Sequence, residues 1–66
     1  MSVARITEIS ATSNESFEAA IRDGVQRATQ TLRNVQGAWV KEHRVIVEND
    51  RIASYQVNML VTFVLE

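Results

Sequence analysis

The chain has 66 residues, 45% apolar and 23% charged, with a formal net charge of −1 and no cysteine. This is ordinary globular composition with material for one core, so residues 1–66 are read as a single domain, and disorder, disulfide scaffolds and thiolate metal centres are excluded. A near-neutral charge without a basic cluster argues against nucleic acid, and no stretch approaches the roughly 20 apolar residues of a membrane helix, so no membrane partner and a cytoplasmic location are expected.

In chain order, Val3 to Ile9 reads as a short β segment, followed by the polar loop Ala11-Thr12-Ser13-Asn14-Glu15-Ser16. Ser16 is the best N-cap, because a helical pattern starts at Phe17 and Glu18 falls in the first turn, where the helix dipole favours an anion. Thr12 with Glu15 forms a competing capping box. From Phe17 to about Asn34 the apolar positions Phe17, Ala20, Ile21, Val25, Ala28, Leu32 and Val35 recur every three or four residues, which is one face of a helix. Glu18–Arg22 and Asp23–Arg27 are spaced as i,i+4 ion pairs, each worth about 0.3 kcal/mol. Gly24, in the helix interior, costs about 1 kcal/mol relative to alanine and therefore predicts a close approach to the sheet.

Gln36-Gly37 breaks the helix, Ala38 to Glu48 reads as a strand, and Asn49-Asp50 is a turn before the last strand. The final thirteen residues, Ser54 to Glu66, contain neither Gly nor Pro and have one uniformly apolar face, Tyr55, Val57, Met59, Val61, Phe63 and Leu65. A two-residue loop sets Val47 opposite Ile52, His43 opposite Gln56 and Trp39 opposite Leu60. One sheet face then collects Val40, Ile46, Val57, Met59, Val61 and Phe63 as a bed for the helix, with Glu42 and Arg44 at its rim. The other collects Gly37, Trp39, Lys41, His43, Gln56, Asn58 and Leu60, among others. The expected fold is α+β: β-α-β-β, a three-stranded antiparallel sheet with one helix packed on one face. The helix-free face is too apolar to remain in water, so the chain is expected to complete itself with further copies.

No phosphate loop, zinc-protease motif, Cys/His cluster or nucleophilic triad is present, and no enzyme is indicated. Trp39 on the helix-free face serves either as an interface anchor or as a stacking platform for a flat ligand. Gln56 offers a donor and an acceptor to a ligand edge or to a neighbouring subunit. Arg44 and Lys41 suit a ligand phosphate or simple solvation, and His43 suits a hydrogen-bonded interface. Glu42, Glu48, Asp50 and Glu66 are carboxylates without a metal-ligand spacing, so no metal site is assigned.

The arrangement resembles the dodecin family. The likeness runs through Ile6-Thr7-Glu8-Ile9, Thr12-Ser13, Ala19-Ala20-Ile21, Arg27-Ala28 and Thr31-Leu32-Arg33-Asn34 to Tyr55-Gln56-Val57 and Val61-Thr62-Phe63-Val64-Leu65. The resemblance implies a hollow homododecamer and non-catalytic binding and storage of a flavin such as FMN or riboflavin. In the family, paired flavin rings stack between tryptophans of adjoining subunits, and a glutamine, here Gln56, reads the pyrimidine edge. Counting without gaps from Arg33-Asn34 puts Gly37 at the family's tryptophan position, with Trp39 two residues later on the same face. Trp39, Gln56 and Gly37, with Arg44 and His43, are therefore the candidate cofactor-binding residues. The alternative is a flavin-free dodecin-like scaffold or a metal-binding oligomer.

Overall fold

A computed structural model, which describes residues 3–65, contains β1 (Val3–Ser13), α1 (Phe17–Thr31), β2 (Val35–Glu48) and β3 (Arg51–Leu65). The strands form one antiparallel sheet in the order β1-β3-β2, with the apolar terminal strand in the centre. This is the expected β-α-β-β topology. Both the first strand and the hairpin are longer than periodicity predicts: β1 extends through Thr12 and Ser13, which were expected in a loop. An antiparallel partner supplies ladder hydrogen bonds to any residue in register, whatever its polarity.

Ser16 caps α1: its backbone is extended and its hydroxyl accepts from Ala19 N at 3.0 Å. The alternative capping box is not used; Ser13 Oγ accepts from Glu15 N at 3.0 Å instead. The helix ends at Thr31 rather than near Asn34, because Asn34 takes the left-handed conformation (φ 58°) and its carbonyl accepts from Val64 N at 3.1 Å. Val35 consequently belongs to β2, opposite Phe63, and not to the helix face. The expected pairs Glu18–Arg22 and Asp23–Arg27 do not close. Arg27 donates to Gln30 at 3.3 Å, and the one ion pair among the described residues is Lys41–Glu8.

The core sits between α1 and the centre of the sheet. Ala19, Ala20 and Ala28 of the helix and Val57, Met59 and Val61 of β3 are buried. Small residues on the helix let it lie close to the strands, and Gly24 is the closest point. A Cβ there would run into Met59 Cε and stand 3.0 Å from Ala11 Cβ, which explains a glycine in mid-helix.

The hairpin turn forms as expected at Asn49-Asp50. Both residues have positive φ, 54° and 60°, as a two-residue turn matched to strand twist requires. Val47–Ile52, Val40–Met59 and Trp39–Leu60 pair as predicted, but the residues from Glu42 to Ile46 do not. Irregularities between Ile46 and Val47 and between Val40 and Glu42 offset the intervening ladder by one residue. Arg44, not His43, therefore lies opposite Gln56, and His43 lies opposite Val57. Since one step in register exchanges faces, Glu42, Arg44 and Ile46 move to the helix-free face. His43 and Val45 move to the helix side.

The subunit is more extended than a self-sufficient domain. Its radius of gyration is 13.5 Å and its longest dimension 51 Å, against about 10.8 Å for a compact 66-residue domain. Its accessible surface, 4968 Å², exceeds the roughly 4,200 Å² expected for a compact monomer of 7.5 kDa. The end of the hairpin projects past the start of the helix, with Val47 59% and Ile52 54% exposed. No helix among the described residues is long and apolar enough to cross a membrane.

Candidate ligand-binding face

The helix-free face is built from four rows of side chains running across β1, β3 and β2: Ile6–Thr62–Gly37, then Glu8–Leu60–Trp39, Ser10–Asn58–Glu42, and Thr12–Gln56–Arg44. Successive rows are two residues apart along β1 and β3, about 6–7 Å, and on β2 the step from Trp39 to Glu42 takes three residues because of the irregularity there. The first two rows hold the apolar and aromatic groups Ile6, Leu60 and Trp39, with Thr62 and Glu8 among them, and the last two rows are polar throughout.

Trp39 is 48% exposed, a large indole left uncovered beside Leu60. Gly37, one row away on the same strand and face, leaves open space: a Cβ built there meets nothing within 4 Å. Its φ is not positive, so backbone conformation does not explain the glycine. What Gly37 supplies is room beside the indole. Lys41 sits at the irregularity after Val40, and its Nζ lies 3.5 Å from Glu8 Oε2, next to the Trp39 row. Both partners are half-exposed, so the pair adds little stability.

In the polar rows, Gln56 Nε2 donates to Ser10 Oγ at 2.8 Å and Asn58 Nδ2 donates to Glu42 Oε1 at 3.0 Å. The Gln56 carbonyl oxygen has no protein partner among the described residues and is free to accept from a ligand N–H. Arg44 lies opposite Gln56, and a shallow pocket of about 140 Å³ is bordered by Glu42, His43, Arg44, Gln56 and Asn58.

Of the sequence-derived candidates, the structure brings Trp39, Gly37, Gln56 and Arg44 onto one face. His43 borders the pocket between its chain neighbours, but its ring stacks on Phe17 with centroids 4.6 Å apart, on the helix side. Tyr55 packs edge-on against the same Phe17, at 5.1 Å. His43 thus helps to pin the helix start to the hairpin instead of joining the ligand face. Ser10, Asn58 and Glu42 were not singled out as site residues. The β1–β3 register sets Ser10 opposite Asn58 and diagonal to Gln56, within reach of its amide, and only long-range pairing reveals that register. Among the described residues no three His, Asp or Glu side chains are grouped as a metal site; Glu66 lies outside the described residues.

Fold and face together define a small β-α-β-β subunit with an aromatic and amide-bearing sheet surface left open for a ligand or a neighbouring copy. A family model described as Dodecin matches residues 3–66, and the chain belongs to that family. A curated dodecin of Thermus thermophilus is 41% identical over 59 residues, spanning 89% of this chain and 86% of the relative. The structure of dodecin from Streptomyces davaonensis superposes with a TM-score of 0.94 at 42% identity, covering 98% of this chain and 96% of the other. A calcium dodecin from Mycobacterium tuberculosis, described as having a novel calcium-binding site, gives 0.85 at 28% identity, with 97% and 91% covered. Family membership supports a homo-oligomeric small protein.

Proposed function

We propose that this chain is the subunit of a homododecamer that binds and stores a flavin, FMN or riboflavin, without turning it over. The observation that carries the reading is the half-exposed Trp39 beside the open space at Gly37, on the same face as Gln56. A flat, electron-poor ring fits an exposed indole with free space next to it. The unpartnered Gln56 oxygen suits an imide N–H, and Arg44, opposite Gln56, suits the phosphate of FMN. When bound, the flavin supplies a light-absorbing redox ring. The role of the chain is to stack it, exclude water and quench its excited state, and no acid–base or nucleophilic set accompanies the site.

The flavin reading also bears on which copies complete the site. Trp39 pairs with Leu60, and Gln56 lies four residues further along β3, about 13 Å away. A ring centred over Trp39 leaves its pyrimidine edge short of Gln56 of the same copy. On this reading the indole and the amide that hold one ring come from different copies, facing each other across the helix-free surface.

The test is titration of FMN and of riboflavin fluorescence with the purified protein and with Trp39→Ala. Saturable quenching by the parent chain, weakened tenfold or more in the variant, is expected. Absence of quenching at micromolar protein overturns the flavin reading. One specific feature favours the alternative, a flavin-free scaffold or cation-binding assembly: the glycine at the position where the family resemblance expects the stacking tryptophan. Calorimetric titration with Ca²⁺ then distinguishes a cation-binding oligomer from a plain scaffold.

A further inference from the structure

Two amides stand on the helix-free face of β3, and each is held by its nitrogen. Asn58 Nδ2 donates to Glu42 Oε1 at 3.0 Å, and Gln56 Nε2 donates to Ser10 Oγ at 2.8 Å. The second bond runs off the straight line of the ladder. Directly opposite Gln56 on β1 is Thr12, which also carries a hydroxyl, whereas Ser10 is the partner of Asn58. Gln56 passes over its own partner and reaches a diagonal neighbour, which a long side chain can do. The amide is therefore held between the two polar rows rather than over the Thr12–Arg44 row that its backbone occupies.

The same neighbours settle which end of the amide is free. A glutamine amide turned end for end keeps its shape but exchanges acceptor for donor, and a hydroxyl can serve either end. Glu42 is a carboxylate that only accepts, so it takes the Asn58 nitrogen. Asn58 is left with an oxygen to offer its surroundings, Ser10 opposite included. An acceptor opposite Ser10 favours a hydroxyl proton turned towards it and a lone pair turned to Gln56. With its nitrogen on Ser10, Gln56 keeps its oxygen for a ligand.

We infer that Ser10 is a positioning residue of this site: its hydroxyl fixes where the Gln56 amide stands and which end of it meets the ligand. The face then selects rings with an N–H on the edge that is read, an imide or a lactam, over rings that offer only acceptors there. The inference rests on the flavin reading above and adds a residue that acts through Gln56 without touching the ring. Without the hydroxyl, the amide is free to turn and to fall back on Thr12 in its own row.

The test is fluorescence titration of riboflavin with the parent chain, Ser10→Ala, Gln56→Leu and the double variant, each also sized by light-scattering chromatography. Ser10→Ala is expected to weaken binding about three- to tenfold, the worth of one hydrogen bond. In the Gln56→Leu background, where no amide is left to position, the same change is expected to cost less than about twofold. Ser10→Thr keeps the hydroxyl and suits a strand, and is expected to bind within about twofold of the parent. Riboflavin methylated on its imide nitrogen is expected to bind the parent and Ser10→Ala alike. A parent chain that quenches no flavin overturns the flavin reading and this one with it. Quenching by the parent with undiminished affinity in Ser10→Ala overturns the positioning role alone. So does an equal loss in both backgrounds or for the methylated ring, which makes the hydroxyl a direct contact or a structural group. A loss in Ser10→Thr as large as in Ser10→Ala, or a Ser10→Ala chain that no longer assembles, overturns it as well.

Discussion

Replacing Gly24 by alanine sets two opposing effects against each other, and the structure decides between them. In an exposed helix interior this change stabilises by about 0.8–1 kcal/mol, because glycine has more backbone freedom to lose. Here the new methyl is directed at the sheet, into Met59 Cε and to within 3.0 Å of Ala11 Cβ. Met59 Cε is the flexible end of its side chain, but Met59 is fully buried and packed with Ala20 and Val57, so moving that end disturbs packed neighbours. Overpacking of a filled core costs about 1–3 kcal/mol. The expected net effect is destabilisation by about 0–2 kcal/mol, with a central value near 1 that lowers the melting temperature by about 4–8 °C. Thermal unfolding by far-UV circular dichroism measures it, at one fixed subunit concentration because assembly makes the midpoint concentration-dependent. The decisive comparison is the same change made in Met59→Val, which removes the clashing atom and itself costs about 1–3 kcal/mol. In that background Gly24→Ala is expected to be neutral or to stabilise by up to about 1 kcal/mol. Stabilisation in the parent chain, or an equal loss in both backgrounds, refutes the contact between Gly24 and Met59 as the reason for the glycine.

Ser16→Ala removes the cap bond to Ala19 and is expected to cost about 1 kcal/mol, read as a fall in melting temperature; an unchanged midpoint contradicts the cap. Leu60→Asp places a carboxylate in the middle of the helix-free face and is expected to abolish the oligomer in light-scattering chromatography; a full-sized particle refutes burial of that face between copies. Gln56→Leu removes the amide that the proposed function assigns to the ring edge while preserving volume. Flavin affinity is expected to drop by roughly tenfold, about 1–2 kcal/mol for one hydrogen bond, with assembly intact; unaltered affinity in the fluorescence titration removes Gln56 from the site.

The topology, the Ser16 cap, the role of Gly24 and the two-residue turn were legible in the sequence because each has a local cause. The register between the turn and Trp39 was not. Period-two reading works where apolar and polar residues alternate, and Lys41-Glu42-His43-Arg44 offers four polar residues in succession, so nothing in that stretch reports a change of face. A bulge adds one residue to one strand, and it entered there. A second irregularity near the turn restored the register at Val47–Ile52. Trp39 and Leu60 kept their expected pairing because the two shifts cancel. His43, lying between them, exchanged the ligand face for the helix side, and Arg44 took the place opposite Gln56. The polar partners Ser10 and Glu42 were invisible for a different reason: contacts across 46 and 16 residues of chain leave no trace in local pattern.

The separation of Trp39 from Gln56 has a thermodynamic consequence. A site formed by one copy alone binds its ligand equally well in the free subunit and in the assembly, and the ligand then has no effect on association. A site whose indole and amide come from different copies exists only in the assembly. Ligand binding must therefore stabilise it, by RT ln(1 + [L]/Kd), about 2.7 kcal/mol per site at a hundredfold excess over Kd. The same linkage runs in reverse: a change that loosens assembly weakens binding although it touches no ligand-contacting atom. Val47 and Ile52 lie at the hairpin tip, remote from Trp39 along β2 and β3. Where changing them dissociates the assembly, a parallel loss of flavin affinity reports a shared site, whereas flavin binding by dissociated subunits with undiminished affinity reports a site held within one chain.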